Sequence, residues 1–431
     1  MLFDWIELLL SVAIGLHVPK AFTLLYGLIA CMAWRSFSDS RARGCSLWGH
    51  WLRWWPSLLA VVLFSVAYVS GMLAWGLWSW QADRADLVNA LMLPVLFLWC
   101  GLQAVRWGRS WLIRILLAYS LGSLVYVLIA LGVSRSPWWD VAQLFPSDDL
   151  DLPWGYPRVI NARSVEQNAI PALSLLPAAL HEWQRAKSGR HQWFAVAAFV
   201  SAMLGGYALW SLQGRLGWMV LVLASIPVLG DALRVHAVWK IRPKKLLLAV
   251  LVSLSILLML MRPWRIQSGA VGWSQGFCDE RLSLHAAILR DGSASPWGGR
   301  LLVAKYQLCD GSPAVLAPSG GTVSMAHNVV LDIFLDAGLA PVVFLAAALL
   351  PLLVRIVSKF WLAWSHGGWD WRVSVCWAWF ALVICEWTFQ PLLYSDGLLY
   401  YFSYFIVAAL ATGGFRSPGD SARMGLRLVI V

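Results

Sequence analysis

Charged residues are scarce in this sequence. Only 13% of its 431 residues are charged, 60% are hydrophobic, and the mean hydropathy is +0.67. Because soluble domains are about 25% charged, this composition excludes a soluble protein of this length. It predicts an all-α polytopic membrane protein, with residues 1–431 forming a single integral membrane domain.

Sequence motifs for nucleotide and zinc binding are also missing. The sequence contains no glycine-rich phosphate loop and no nucleotide-binding domain, so ATP-driven transport is not expected. The zinc motifs His-x-x-Glu-His and Cys-x-x-Cys are absent as well, so neither a cofactor nor a metal is predicted. The acidic run Asp148-Asp149-Leu150-Asp151 could hold a cation loosely, but we interpret it as a solvated loop.

The net charge of +11 at first suggests a nucleic-acid partner. Its distribution favours another interpretation, because the basic residues stand in short segments between apolar runs. Such segments are typical of the loops of a membrane protein. We therefore expect membrane lipids, and no nucleic acid, among the partners.

Apolar runs of about 20 residues are long enough to cross a membrane. On this basis the sequence predicts about twelve transmembrane helices. The first two are short and could form a hairpin of half-depth helices, which leaves the orientation of the later spans unchanged. The predicted spans are 2–16, 21–34, 57–80, 86–105, 115–133, 168–183, 193–211, 216–231, 246–261, 327–353, 373–391 and 397–414.

Lys and Arg are concentrated in short segments on one side of this alternation. Each segment holds three to five basic residues, and positive charge accumulates on the cytoplasmic side of membrane proteins. The pattern predicts that both termini are cytoplasmic. The basic segments are 35–56, 106–114, 184–192, 232–245, 354–372 and 415–431.

Two long loops, 134–167 and 262–326, fall on the opposite, outer side. The first contains the acidic run, and the second contains Cys278 and Cys309. Thiols outside the cytosol often oxidise. Two states are open for this pair, a disulfide that staples the loop or two unpaired buried thiols.

Two arginines stand at unusual places on the outer side. Arg215 lies in a tight turn between two short spans, flanked by Gly214 and Gly217. A guanidinium offers a planar fork of donors that suits phosphate oxygens, although a single arginine at a helix end is often an interfacial residue. Arg281 begins a predicted amphipathic helix of the second loop, whose apolar face we assign to Leu282, His285, Ala286 and Leu289. An ion pair with Asp279 or Glu280 is the alternative role for Arg281.

The pair His327-Asn328 opens a hydrophobic helix on the outer side. An imidazole there can accept a proton from a hydroxyl nucleophile or bind a phosphate. Asp332 and Asp336 follow at helical spacing and place a polar stripe on one face. Carboxylates inside a span require the interior of the bundle or a water-lined cavity, so we predict a functional site at this helix.

These elements together resemble the bacterial O-antigen ligases. Three elements carry the resemblance. The first is the pair His327-Asn328 followed, after nine residues, by Gly338, and the second is the turn that holds Arg215. The third is the loop helix that begins at Arg281 and precedes a Pro-x-Gly sequence. It covers roughly residues 200–345. The family commonly has Gly, Thr or Tyr three residues after the motif glycine, whereas this chain has Pro341.

The resemblance implies a GT-C-like glycosyltransferase of the bacterial inner membrane whose active site faces the periplasm. It would transfer an O-antigen glycan from undecaprenyl pyrophosphate to lipid A–core oligosaccharide. By position, Arg215 and Arg281 would bind the pyrophosphate, and His327 would activate or orient the acceptor hydroxyl. Weaker candidates for substrate binding are Asn328, Arg158, Arg163 and Arg300.

Other functions compete with ligation. An O-antigen polymerase would use the same donor with a second lipid-linked glycan as acceptor, and protein O-oligosaccharyltransferases belong to the same superfamily. Loop 134–167 holds only three arginines, whereas polymerases often have two arginine-rich outer loops. A flippase or transporter of a lipid-linked substrate is a further alternative, which would need polar residues through the full membrane depth.

Overall fold

The computed structural model describes most of the predicted helices at both ends of the chain. The part it describes is mostly helical and contains five helices that are long and apolar enough to cross a membrane. This result confirms the helical membrane character of the chain. The predicted spans 193–211 and 246–261, and most of 168–183 and 216–231, lie outside the described residues. These residues are 2–18, 20–43, 52–133, 150–151, 159–160, 171–172, 174–175, 220, 223, 280–292, 304–307, 312–316, 326–365, 370–389 and 397–413.

The helices follow the predicted apolar runs closely, with shifts of several residues at their ends. Two short antiparallel ribbons, which the sequence did not predict, are formed by β1 with β2 and by β3 with β4. In chain order the elements are α1 (Leu2–Gly15), α2 (Ala21–Arg43), a 3-10 turn (Leu52–Trp54), α3 (Trp55–Ala74), α4 (Arg84–Trp107), α5 (Arg109–Val133), β1 (Leu150–Asp151), β2 (Val159–Ile160), α6 (Glu280–Gly292), β3 (Ala304–Gln307), β4 (Pro313–Leu316), α7 (Val329–Ala337), α8 (Leu339–Ser365), α9 (Trp371–Phe389) and α10 (Gly397–Thr412).

Two predicted segment lengths are wrong. Helix α2 has 23 residues and at about 1.5 Å per residue is long enough to cross a membrane, so it is not a half-depth helix. The predicted loop 106–114 is helical except at Gly108, whose φ of 81° separates α4 from α5. Basic residues mark the end of the apolar core in the sequence, but they do not end the helix.

Helix α10 forms the centre of the described bundle. All of its residues from Leu398 to Thr412 are buried, and its most extensive contact is with α4. Gly101 of α4 makes this contact close, since a Cβ there would lie 2.5 Å from the carbonyl oxygen of Phe405. Small residues permit this close approach between helices in a membrane, where packing replaces the hydrophobic effect.

A buried ion-pair network joins α1, α2 and α5. The guanidinium of Arg35 donates to Asp4 at 2.6 Å and twice to Glu7 at 2.8 Å. Glu7 is fully buried and also accepts a hydrogen bond from Nε1 of Trp111 at 2.8 Å. A buried carboxylate needs such partners, so this network fixes the three helices relative to one another.

Helix α6 and the β3–β4 ribbon form one unit beside the membrane helices. The helix packs on β3, and Arg290 donates to the carbonyl oxygen of Lys305 at 3.1 Å. The buried face of α6 consists of Leu284, Ala287 and Ile288. These residues differ from the apolar face predicted for the membrane surface; Leu289 of that face is 61% exposed to solvent outside the protein, and its contact with the membrane stays a prediction. Both sets of residues fit helical spacing, and only tertiary packing on α7 distinguishes them.

The predicted span 327–353 consists of two helices. Gly338 has a φ of 88° and ends α7, after which α8 begins at Leu339. Gly71 of α3 lies against the last residue of α7, and a Cβ at this glycine would lie 2.6 Å from Cβ of Ala337. Helix α7 is thus a short element with its own orientation, packed on α3, α8 and α9.

Candidate functional site

His327 lies directly before α7 in a left-handed backbone conformation, with a φ of 57°. Few residues other than glycine adopt this conformation, which costs on the order of 1 kcal/mol or more. Histidine is among the residues that tolerate it better than most. The side chain is partly buried. Left-handed residues of this kind are found at functional sites, where the surrounding structure holds them in place.

Asn328 is the N-cap of α7. Its backbone is extended, and its side-chain oxygen accepts a hydrogen bond from the backbone N–H of Leu331 at 3.0 Å. Its side-chain nitrogen donates to the carbonyl oxygen of Thr388, near the end of α9, at 3.0 Å. The sequence predicted substrate binding for Asn328. Its observed contacts are with the protein, where it fixes the start of α7 against α9.

Ala326, the residue before His327, has both of its backbone polar groups hydrogen-bonded to side chains. The N–H of Ala326 donates to Oδ1 of Asp332 at 2.6 Å. The carbonyl oxygen of Ala326 accepts a hydrogen bond from Nε2 of His285 at 2.8 Å. Ala326 is fully buried, and Asp332 is 2% exposed. Helix α6 of the loop is therefore joined directly to the segment that positions His327.

Arg281 lies on this same loop helix. Its position is one turn before Leu284 and His285, and both of these residues contact the region of Ala326. The backbone of α6 thus brings position 281 toward the start of α7, although the Arg281 side chain is outside the described residues. Also outside them are Arg215, Arg158, Arg163, Arg300, Cys278 and Cys309.

The two acidic residues of α7 are both buried. Asp332 and Asp336 are each 2% exposed, which agrees with the requirement that carboxylates in a span face the bundle interior. The hydroxyl of Tyr68 on α3 donates to Oδ2 of Asp336 at 3.4 Å. Tyr400 and Tyr404 of α10 lie nearby and share a hydrogen bond of 2.8 Å. The interior beneath His327 is therefore polar, with carboxyl and phenol groups.

Three residues of this region were not predicted as site residues. His285 was assigned to an apolar face, whereas Tyr68 and Thr388 stood inside predicted spans without a polar pattern around them. Their contacts with Ala326, Asp336 and Asn328 come from other helices. A single sequence carries no signal for such pairs, although a histidine in an apolar stretch could have drawn attention to His285.

The arrangement offers polar groups that suit binding and proton-transfer chemistry. Within the described ranges, no three His, Cys, Asp or Glu side chains come together in a way that could hold a metal ion. A histidine at the mouth of a helix can accept a proton from a bound hydroxyl group. Comparison of the chain with models of protein families and with curated proteins finds no match.

Proposed function

We propose that this chain is an O-antigen ligase of the bacterial inner membrane. It transfers a glycan from undecaprenyl pyrophosphate to a sugar hydroxyl of lipid A–core oligosaccharide on the periplasmic face. In this proposal the full chain has about twelve transmembrane helices, which follow the apolar runs of the sequence. The loop 262–326, which contains α6, lies in the periplasm.

One observation carries this proposal: His285 of α6 is hydrogen-bonded to Ala326, the residue before His327. The O-antigen ligase resemblance requires an arginine of the loop helix and the histidine of the His-Asn motif in one site. Position 281 is one helical turn from His285. The two motif elements, about 45 residues apart in the sequence, are thus close in the fold, as the function needs.

The proposed reaction needs no cofactor. The hydroxyl oxygen of the acceptor sugar attacks the anomeric carbon of the glycan, while the bond from this carbon to the pyrophosphate oxygen breaks. His327 accepts the hydroxyl proton, and undecaprenyl pyrophosphate leaves with the electron pair. Arg215 and Arg281 bind the pyrophosphate and stabilise the negative charge that develops on it.

The test is a lipopolysaccharide gel from a ligase-deleted Gram-negative host that expresses the chain or one of its variants. We expect the wild type to restore the glycan ladder. Arg215→Ala, Arg281→Ala and His327→Ala should each nearly abolish it, because removal of an oxyanion donor or of a general base costs about 10²- to 10⁴-fold in rate. Membrane insertion is checked by immunoblotting of each variant.

Arg290→Ala is the matched control, since it removes an arginine from the same helix. Positions 281 and 290 are nine residues apart and therefore lie on opposite sides of α6. We expect Arg290→Ala to keep the ladder. A wild-type-like ladder from Arg215→Ala, Arg281→Ala or His327→Ala would remove that residue from the mechanism, and long undecaprenyl-linked glycan without a ladder would indicate a polymerase.

The buried carboxylates of α7 favour one second candidate, a transporter of a lipid-linked substrate. Asp332, Asp336 and Glu386 of α9 are buried in helices of the bundle, where acidic residues often belong to proton or substrate pathways. A transporter would lose substrate movement across proteoliposomes when Asp336 or Glu386 is changed to its amide. It would form no glycosidic bond in any assay.

A further inference from the structure

We propose that Asp332 and His285 are positioning residues, which hold the backbone of Ala326 and thereby set the direction of the His327 side chain. Through them, the loop helix α6 and the membrane helix α7 form a single site. This inference rests on the proposed function, because it assigns both residues to the same transfer reaction. Neither side chain needs to touch the substrate.

Both polar groups of the Ala326 backbone are engaged by side chains. The carboxylate of Asp332 accepts the N–H at 2.6 Å, and the imidazole of His285 donates to the carbonyl oxygen at 2.8 Å. A carboxylate acceptor makes a hydrogen bond short and strong. Since Ala326 is fully buried, water does not compete for these groups. The peptide group on each side of Ala326 is consequently fixed in its orientation.

These two bonds determine the backbone conformation of His327, the next residue. Its φ of 57° lies within a bend of the chain, and Asn328 then continues in an extended conformation before α7 begins. A left-handed residue persists only where its surroundings determine it. Release of Ala326 lets His327 return to the common negative φ region, which points the imidazole in another direction.

Through Ala326, the two bonds together connect α6 with α7, which are far apart in the sequence. Asp332 belongs to α7 itself, whereas His285 belongs to α6. Any movement of α6 therefore acts on the backbone of Ala326. In the proposed reaction this geometry couples the position of Arg281, which holds the leaving group, to that of His327, which takes the acceptor proton.

The experiment uses the full chain, purified in lipid nanodiscs, with two pairs of variants. Asp332→Ala removes the acceptor, whereas Asp332→Asn keeps an oxygen that can accept from Ala326. His285→Ala removes the donor, whereas His285→Gln keeps an N–H at a similar reach but cannot act as an acid or base at neutral pH. Amide hydrogen exchange of segments 280–292 and 326–328 is measured together with initial rates of glycan transfer.

We expect Asp332→Ala and His285→Ala to lower kcat by roughly 10- to 100-fold, the effect of a lost hydrogen bond that involves a charged or buried partner. The KM for the lipid-linked donor should change little, because the variants keep Arg215 and Arg281, which bind the donor in the proposed reaction. The Asn and Gln variants should recover most of kcat. Amide exchange at Ala326 should become faster in the two Ala variants only.

Two results would overturn the proposal. The first is a His285→Gln or Asp332→Asn variant as slow as its Ala counterpart, since this outcome would indicate direct proton transfer or a general loss of structure. The second is a further loss of transfer rate when Asp332→Ala is added to the His327→Gln variant. If Asp332 acts through His327, Asp332→Ala should change the residual rate of His327→Gln by no more than about twofold.

The exchange measurement separates this inference from the proposed function. A wild-type chain that transfers no glycan to lipid A–core would end the ligase proposal. Faster exchange at Ala326 in both Ala variants would still support the backbone-positioning role. Unchanged exchange in both Ala variants would overturn that role, whatever the transfer assay shows.

Discussion

Asn328 offers a direct test of how α7 is held, because its two side-chain groups have separate partners. The oxygen caps the helix at Leu331 N, and the nitrogen donates to Thr388 O on α9, each at 3.0 Å. Asn328→Ala removes both bonds. Asn328→Asp and Asn328→Ser keep an oxygen for the cap but lose the amide donor to Thr388.

The expected destabilisation of each variant follows from these two bonds. Loss of an N-cap oxygen costs about 1 kcal/mol, and loss of a neutral side-chain to backbone hydrogen bond costs about 1 kcal/mol more. We therefore expect Asn328→Ala to destabilise the protein by about 2 kcal/mol, and the Ser variant by about half of this. The Asp variant should be less stable than the Ser variant, because its second carboxylate oxygen faces the Thr388 carbonyl oxygen. Because the partner on α9 is a backbone carbonyl, Thr388→Ala should leave the bond intact and serves as the control.

The assay is thermal unfolding in detergent, with the midpoints ranked across the series. The expected order is wild type and Thr388→Ala first, then Asn328→Ser, then Asn328→Ala, with Asn328→Asp below Asn328→Ser. A Ser variant as unstable as the Ala variant would refute the capping role. Transfer activity separates the roles further: if Asn328 binds substrate through its amide, activity should fall equally in all three variants, whatever their stability.

Three further substitutions test the packing of the bundle by the same thermal assay. Gly71→Ala should destabilise by about 1–3 kcal/mol through overpacking against the Cβ and backbone of Ala337; a midpoint equal to that of the wild type would contradict this close approach. Arg35→Ala leaves Glu7 buried without its main partner and should cost about 3–5 kcal/mol, with Arg35→Lys less severe; equal midpoints for wild type and Arg35→Ala would contradict this. Gly338→Ala forces a positive φ on a residue with a Cβ and should cost about 1–3 kcal/mol, so an unchanged midpoint would show that α7 and α8 can join differently.

The apolar runs predicted the described membrane helices well, for a physical reason. A span must bury all of its backbone polar groups within its own helix, so about 20 apolar residues in a row leave few alternatives. The helix ends were predicted less well. In α2, for example, the helix continues from the apolar run to Arg43, because a charged residue leaves the hydrocarbon without leaving the helix.

The breaks between helices were harder to predict from the sequence than the helices themselves. Gly108 and Gly338 each take a positive φ and separate two helices, whereas Gly101 and Gly71 stay within helices and permit close packing. In the sequence, Gly71, Gly101 and Gly338 stand in largely apolar surroundings, whereas Gly108 lies in the basic segment 106–114. Only the tertiary structure shows which of them turns the chain and which brings two helices together.

The site was predictable where unusual residues interrupt an apolar pattern. His327 and Asn328 stand at the start of a helix, and Asp332 and Asp336 are buried on it, as their spacing indicated. The role of His285 was not predictable, since its partner is a backbone carbonyl 41 residues away. Backbone partners leave no trace in the side-chain pattern of a single sequence.

Helix α7 is well suited to hold His327 in place because its start and its end are attached to different elements. Its start is joined to α9 through Asn328 and to α6 through Ala326, while Asp336 and Ala337 near its end contact α3. A helix of nine residues has few intrahelical bonds of its own, so these contacts determine where it lies. The orientation of His327 is therefore a property of four helices, and the His-Asn motif alone is insufficient to create the site.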